Sequence, residues 1–177
     1  MSINYSAATM AVLDALGRDP ETRYHVRAVA EKAGVSVGAA SVILHSLEGS
    51  GMLTVEEAGN MKFYQYNLSN PVARQWKVLF SINRLKPLVD LLVNGAERVV
   101  LFGSVAEGTD TRESDVDLFI LAQDETIVKN ILRRFQKGYS RSLSPLIMNP
   151  AGFARLRRQD PSLYENIVRG RVLWERG

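Results

Sequence analysis

Two carboxylates spaced i, i+2, Asp115 and Asp117, follow the pair Gly103-Ser104 with ten residues between, in the stretch F-G-S-V-A-E-G-T-D-T-R-E-S-D-V-D from Phe102 to Asp117. On a strand, positions i and i+2 share a face. Two anions held side by side repel unless a cation lies between them, and a hard dication, Mg²⁺ or Mn²⁺, takes oxygen ligands of this kind. The glycine points to the second half of the chemistry. Val99, Val100, Leu101 and Phe102 form a short apolar run, read as a buried strand, that stops at Gly103, where a residue without Cβ lets backbone approach a ligand. Ser104 adds a hydroxyl and a free N–H, and exposed N–H groups at such a turn attract phosphate. Metal ligands beside a phosphate turn suit a nucleoside triphosphate, whose charge a dication neutralises during phosphoryl transfer. The plainer alternative is a tight turn followed by two acids solvated on an edge strand.

The elements around these residues favour a placed site. Ser114 to Leu121 alternates as a strand, with Val116, Leu118 and Ile120 on one face and the two aspartates on the other. An apolar strand before the turn and an apolar face after it both argue for a core location.

Gly103-Ser104, ten residues, then Asp115-x-Asp117-Leu118, with Gly108 and Ser114 between, resembles the signature of the DNA polymerase beta-like nucleotidyltransferase superfamily, most closely its small single-domain branch. The resemblance covers residues 95 to 148. It implies a short mixed sheet flanked by helices, and transfer of a nucleotidyl group from a nucleoside triphosphate to a hydroxyl. It also implies metal held by Asp115 and Asp117 as the catalytic acids, phosphates held at Gly103 and Ser104, and Arg112 clamping a phosphate. The family places a third carboxylate on a later strand, often as the base. The corresponding stretch, Ser140 to Ile147, contains no acid, and Ser142 or Ser144 stands in that slot.

From Thr126 to Gln159 the chain has no Asp or Glu, whereas Lys129, Arg133, Arg134, Lys137, Arg141, Arg155, Arg157 and Arg158 are basic. A helix over about residues 124–139 would bury Ile127, Val128, Ile131, Leu132 and Phe135 and turn Lys129, Arg133 and Lys137 outward. Such a surface steers anions, or is simply a solvated face.

The first seventy residues read differently. Tyr5, Thr9, Val12, Leu13 and Leu16 trace one helical stripe; residues 25–33 form a second helix ending at Gly34; Ser36 opens a third expected to bury Ala39, Ala40, Ile43, Leu44 and Leu47. Residues 52–56 and 62–67 are strands around the turn Ala58-Gly59-Asn60. With the run A-G-V-S-x-x-A-A-S-x-I-L, this pattern resembles a winged helix-turn-helix, as found in many transcription regulators. The resemblance implies double-stranded DNA as a partner, with Ser36, Ser41 and His45 toward the groove and Arg27 and Lys62 toward phosphates. Five basic residues against seven acidic ones in residues 1 to 70 predict weak binding by one copy, more by a homodimer. Protein contact is the rival use.

At 177 residues, 46% apolar and net charge +3, the chain suits an α/β organisation of two domains. The expected boundaries are a winged helix at 1–70, a helical linker at 71–94 that Pro87 breaks or kinks, and a nucleotidyltransferase-like domain at 95–177. There is no cysteine, so disulfides and thiolate metal sites are excluded. Neither a membrane span nor a leader is expected, which points to the cytoplasm. Two functions stand: a metal-dependent nucleotidyltransferase, or a non-catalytic regulator whose degenerate transferase domain senses nucleotide or pairs with a partner protein, as in toxin and antitoxin systems.

Overall fold

The computed structural model describes residues 3–177. They form two compact units, divided between Phe80 and Ser81. In the first, helix α1 (Ala7–Gly17) begins at Ser6, whose Oγ accepts the Thr9 N–H at 3.2 Å. Strand β1 (Tyr24–His25) leads into α2 (Val26–Ala33), where the His25 Nδ1 accepts the Ala28 N–H at 3.3 Å. Ser36 caps α3 (Val37–Gly49) by accepting the Ala39 N–H. Caps of this kind satisfy N–H groups that a first turn leaves without partners, each worth about 1 kcal/mol.

Strands β2 (Leu53–Ala58) and β3 (Met61–Tyr66) form a hairpin, and β1 joins β3 to give an antiparallel sheet of order β1-β3-β2. Ala58 pairs with Met61, so the turn is Gly59-Asn60, one residue shorter than the sequence suggests. The apolar stripes of the helices meet the sheet in one core built on Val12, Leu13, Val29, Leu44, Leu47 and Tyr64. Tyr5 precedes α1 and stacks on Trp76 instead of extending the stripe. Three helices closed by a hairpin make a winged helix-turn-helix.

Helix α4 (Pro71–Leu92) crosses the division between the units. Ala73, Trp76 and Phe80 pack in the first core, and Leu85, Leu88 and Leu92 in the second. Pro87 does not end this helix. A proline removes the bond to the carbonyl four residues earlier. Here that residue is Asn83, which is exposed. Lys77 is buried, and its ammonium donates to the Gly17 carbonyl at 2.7 Å, closing the end of α1.

The second unit runs β4 (Arg98–Phe102), α5 (Gly103–Glu107), β5 (Val116–Leu121), α6 (Glu125–Gln136), β6 (Leu143–Met148), α7 (Pro150–Gln159), α8 (Pro161–Val168) and β7 (Arg171–Glu175). The sheet order is β6-β5-β4-β7, with β5 and β6 parallel and the other pairs antiparallel. Val99, Leu101, Val116, Leu118 and Ile120 face α4, α5 and α6. On the opposite face, Val100 and Phe119 pack with Leu156 of α7 and Ile167 of α8.

This is a mixed sheet with helices on both faces, and β5 reads as an apolar run because it is buried on both. Truncating Phe119 to alanine there costs about 3–5 kcal/mol. Edge strand β6 tolerates Pro145, since its outer N–H groups have no ladder to join. At Gly170 a Cβ would lie 2.7 Å from the Leu101 carbonyl oxygen, so only glycine lets the chain turn from α8 into β7 against β4. Trp174 is half-buried in the core around α4. Helix α6 stops at Gln136, short of the expected end, and Ile127 is 49% exposed where burial is expected. Among the described residues no helix is long and apolar enough to cross a membrane.

Candidate functional site

Strands β4 and β5 pair so that Phe102 lies opposite Asp117, which brings the turn after β4 against the acid at the start of β5. Gly103 takes φ +69°, a left-handed conformation that side chains disfavour. A Cβ built there would overlap the Asp117 carboxylate, whose Cγ lies 3.2 Å from that position. The glycine therefore lets backbone and carboxylate touch. Ser104 is half-buried in the first turn of α5, and its carbonyl accepts the Thr109 N–H at 3.0 Å, which closes the turn.

Asp117 is half-buried and Asp115 exposed one residue ahead of β5; neither has an ion-pair or hydrogen-bond partner among the described residues. Arg112, on the loop before them, is exposed and equally unpaired. Strand β6 sets Ser144 opposite Asp117. Ser142 lies earlier, its carbonyl accepting the Val116 N–H at 2.9 Å. Of the two serines, Ser144 is thus the one registered with an aspartate. Among the described residues no group of three or more His, Cys, Asp or Glu side chains converges as a metal site.

A second cluster, missed from sequence, supports the first. Arg141 donates from Nη1 to Asp110 Oδ2 at 2.8 Å, and from Nη2 to the carbonyls of Ser114 at 2.6 Å and Thr111 at 3.4 Å. Asp110 is 4% exposed. The pair is separated by 31 positions, so no local spacing announces it; Arg141 reads only as one more cation in a basic stretch. Nearby, burial pushes the Tyr139 phenol above its ordinary range, opposed by the charges of Arg84 and Arg141.

Six cations of the basic stretch, Arg133, Arg134, Lys137, Arg155, Arg157 and Arg158, are exposed without ion-pair partners among the described residues. The other two are spent locally, Lys129 on Glu125 at 2.7 Å and Arg141 on Asp110.

On the winged helix, Arg27 is exposed on α2, and Ser41 and His45 are exposed on α3. His45 Nδ1 lies 3.6 Å from Glu48. The Ser36 hydroxyl is engaged in capping. Lys62 lies 3.1 Å from Glu57, whose carboxylate raises the ammonium above the usual lysine range. The outer face of α3 is otherwise apolar, with Val37 and Val42 48% and 73% exposed.

A family model described as Polymerase beta, Nucleotidyltransferase matches residues 89–177. Among solved structures, the chain is similar to the homodimeric winged helix-turn-helix DNA-binding domain of a possible ArsR-family transcriptional regulator from Mycobacterium bovis, at 20% identity over 47% of this chain and 73% of that one, TM-score 0.38. It is similar to a mutant of the toxin-antitoxin pair MntA-HpeT at 20% identity, over 54% of this chain and 73% of that one, TM-score 0.39. A third likeness is to Sso10a-2, a DNA-binding protein from Sulfolobus solfataricus, at 21% identity over 48% of this chain and 95% of that one, TM-score 0.34. No curated protein matches the chain.

Proposed function

We propose, for a chain that belongs to the polymerase beta nucleotidyltransferase family, that its second unit binds a nucleoside triphosphate with a divalent metal at Gly103, Ser104, Asp115 and Asp117. One observation carries this reading: the left-handed Gly103 turn lies against the Asp117 carboxylate in a space that a Cβ would fill. The donors fit a hard dication, since two uncompensated carboxylates and the registered Ser144 hydroxyl offer oxygen alone. Asp115 and Asp117 would hold Mg²⁺ or Mn²⁺, which when bound supplies positive charge to the phosphate oxygens. Gly103 and Ser104 hold the β and γ phosphates, and the unpaired Arg112 clamps another phosphate oxygen.

The reaction class is nucleotidyl transfer. An acceptor hydroxyl oxygen bonds to the α-phosphorus, the bond from that phosphorus to the bridging oxygen breaks, and pyrophosphate leaves. The hydroxyl proton passes to water, because the position beside Asp117 holds Ser144, which does not accept a proton at neutral pH as a carboxylate does. In a calorimetric titration with Mg-ATP the native chain binds and Asp117→Ala does not, while both melt at the same temperature. Equal binding by the two overturns the assignment.

Ser144 favours a second reading, in which the site binds nucleotide without transferring it and the chain acts as a regulator through its winged helix. Labelled product from a radiolabelled triphosphate with candidate hydroxyl acceptors separates transfer from binding. DNA contact by the winged helix would rest on Arg27, Ser41 and His45, with Lys62 partly neutralised by Glu57. Its affinity is therefore low and salt-sensitive. A mobility shift that does not weaken with salt contradicts it.

A further inference from the structure

The turn preceding the two aspartates is held from a distant part of the second unit. Arg141 reaches Asp110 at the start of this turn and the carbonyls of Thr111 and Ser114 within it. Inside the turn, the Thr111 N–H donates to Ser114 Oγ at 3.0 Å. Next to Arg141, the Ser142 carbonyl accepts the Val116 N–H at 2.9 Å. The peptide groups on both sides of Asp115 are thereby fixed by residues 141 and 142, while the Asp115 carboxylate itself has no partner among the described residues.

We propose that Arg141 is a positioning residue for the metal-holding carboxylates, an inference that rests on the metal and nucleotide reading above. Asp115 lies one residue ahead of β5, in an exposed position where a strand end frays. Repulsion from Asp117 would push it outward in the absence of metal. The Arg141 fork opposes both tendencies by holding three oxygens in fixed geometry, which a lysine ammonium on a flexible stem does not reproduce. Asp110 orients the fork from a buried position. The ordering of Asp115 is then settled before any ligand arrives, which is how preorganised sites gain affinity.

The sign of one measurement separates this role from simple electrostatics. Arg141 is a cation near a cation site, so by Coulomb's law its removal tightens metal binding. Positioning demands the opposite. With Mn²⁺ as the probe on the full chain, titrated by electron paramagnetic resonance, Arg141→Gln and Arg141→Lys both weaken affinity about tenfold or more. In the metal-free protein both also speed hydrogen exchange at the Val116 amide, with exchange in β4 unchanged. Unchanged or tighter Mn²⁺ binding by Arg141→Gln overturns the proposal, as does full rescue by Arg141→Lys. If Arg141→Gln does not fold, Arg141→Lys, which keeps the charge opposite Asp110, is read by the same criteria. If the native chain binds no Mn²⁺, the metal reading falls. Exchange at Val116 then decides separately whether Arg141 fixes this backbone, and an unchanged rate rejects that.

Discussion

The two surfaces that sequence marks for function treat charge in opposite ways. At the head of β5 the backbone is pinned and the charges are left open: Arg141 and Ser142 hold the peptides around Asp115, yet neither Asp115 nor Asp117 has a partner among the described residues. On the winged helix, among the described residues, three exposed cations are closed by acids, Arg27 is left open on α2, and the outer face of α3 is uncharged apart from His45. Lys62 pairs with Glu57, Arg23 with Glu56 and Arg18 with Asp14, while α3 presents Val37 and Val42. Surface ion pairs add little stability, about 0–1 kcal/mol each, so closing them chiefly removes free cations from a surface that would need them for phosphate. Unpaired like charges on a fixed backbone, by contrast, cost free energy that a bound cation returns. That difference makes the second unit the better place to look for ligand chemistry.

Three substitutions break or sharpen the contrast, in falling order of effect. Gly103→Ala combines a left-handed backbone, costing about 1–2 kcal/mol, with a methyl group driven into the Asp117 carboxylate. Metal-dependent nucleotide binding is lost in calorimetry and melting falls by about 5 °C; retained affinity would mean that the turn and the acid do not form one site. Ser144→Asp places a third carboxylate opposite Asp117. Mn²⁺ affinity rises, and labelled transfer product increases if the acceptor proton limits the native rate. A fall in Mn²⁺ affinity would show that the Ser144 side chain does not share the carboxylate face. Glu57→Gln frees Lys62 and steepens the salt dependence of nonspecific DNA binding by about one ion; an unaltered slope places the wing away from DNA.

Much of this was legible in the residues. The apolar run ending at Gly103, the i, i+2 acids and the capping serine at Ser36 are local patterns, and local geometry settles where they lie in the fold. The third carboxylate's absence was legible too, but choosing between Ser142 and Ser144 required the β5–β6 register, which no spacing within one strand determines. Of the break or kink expected at Pro87, the break does not occur: the helix continues through it, and the residue whose carbonyl it frees, Asn83, is exposed, a property that the helix pattern does not spell out. Ile127 misled because a 3.6-residue stripe widens on paper beyond the face that α6 buries. Arg141 and Asp110 were invisible for a simpler reason: a buried ion pair 31 positions apart has no sequence period.

The most direct test is a crystal structure of the full chain with Mn²⁺ and a nonhydrolysable nucleoside triphosphate, read through the anomalous signal of manganese. The expected result is a manganese peak between the carboxylates of Asp115 and Asp117, with phosphate oxygens against Gly103 and Ser104. A triphosphate bound elsewhere, or a manganese peak away from both aspartates, contradicts the account.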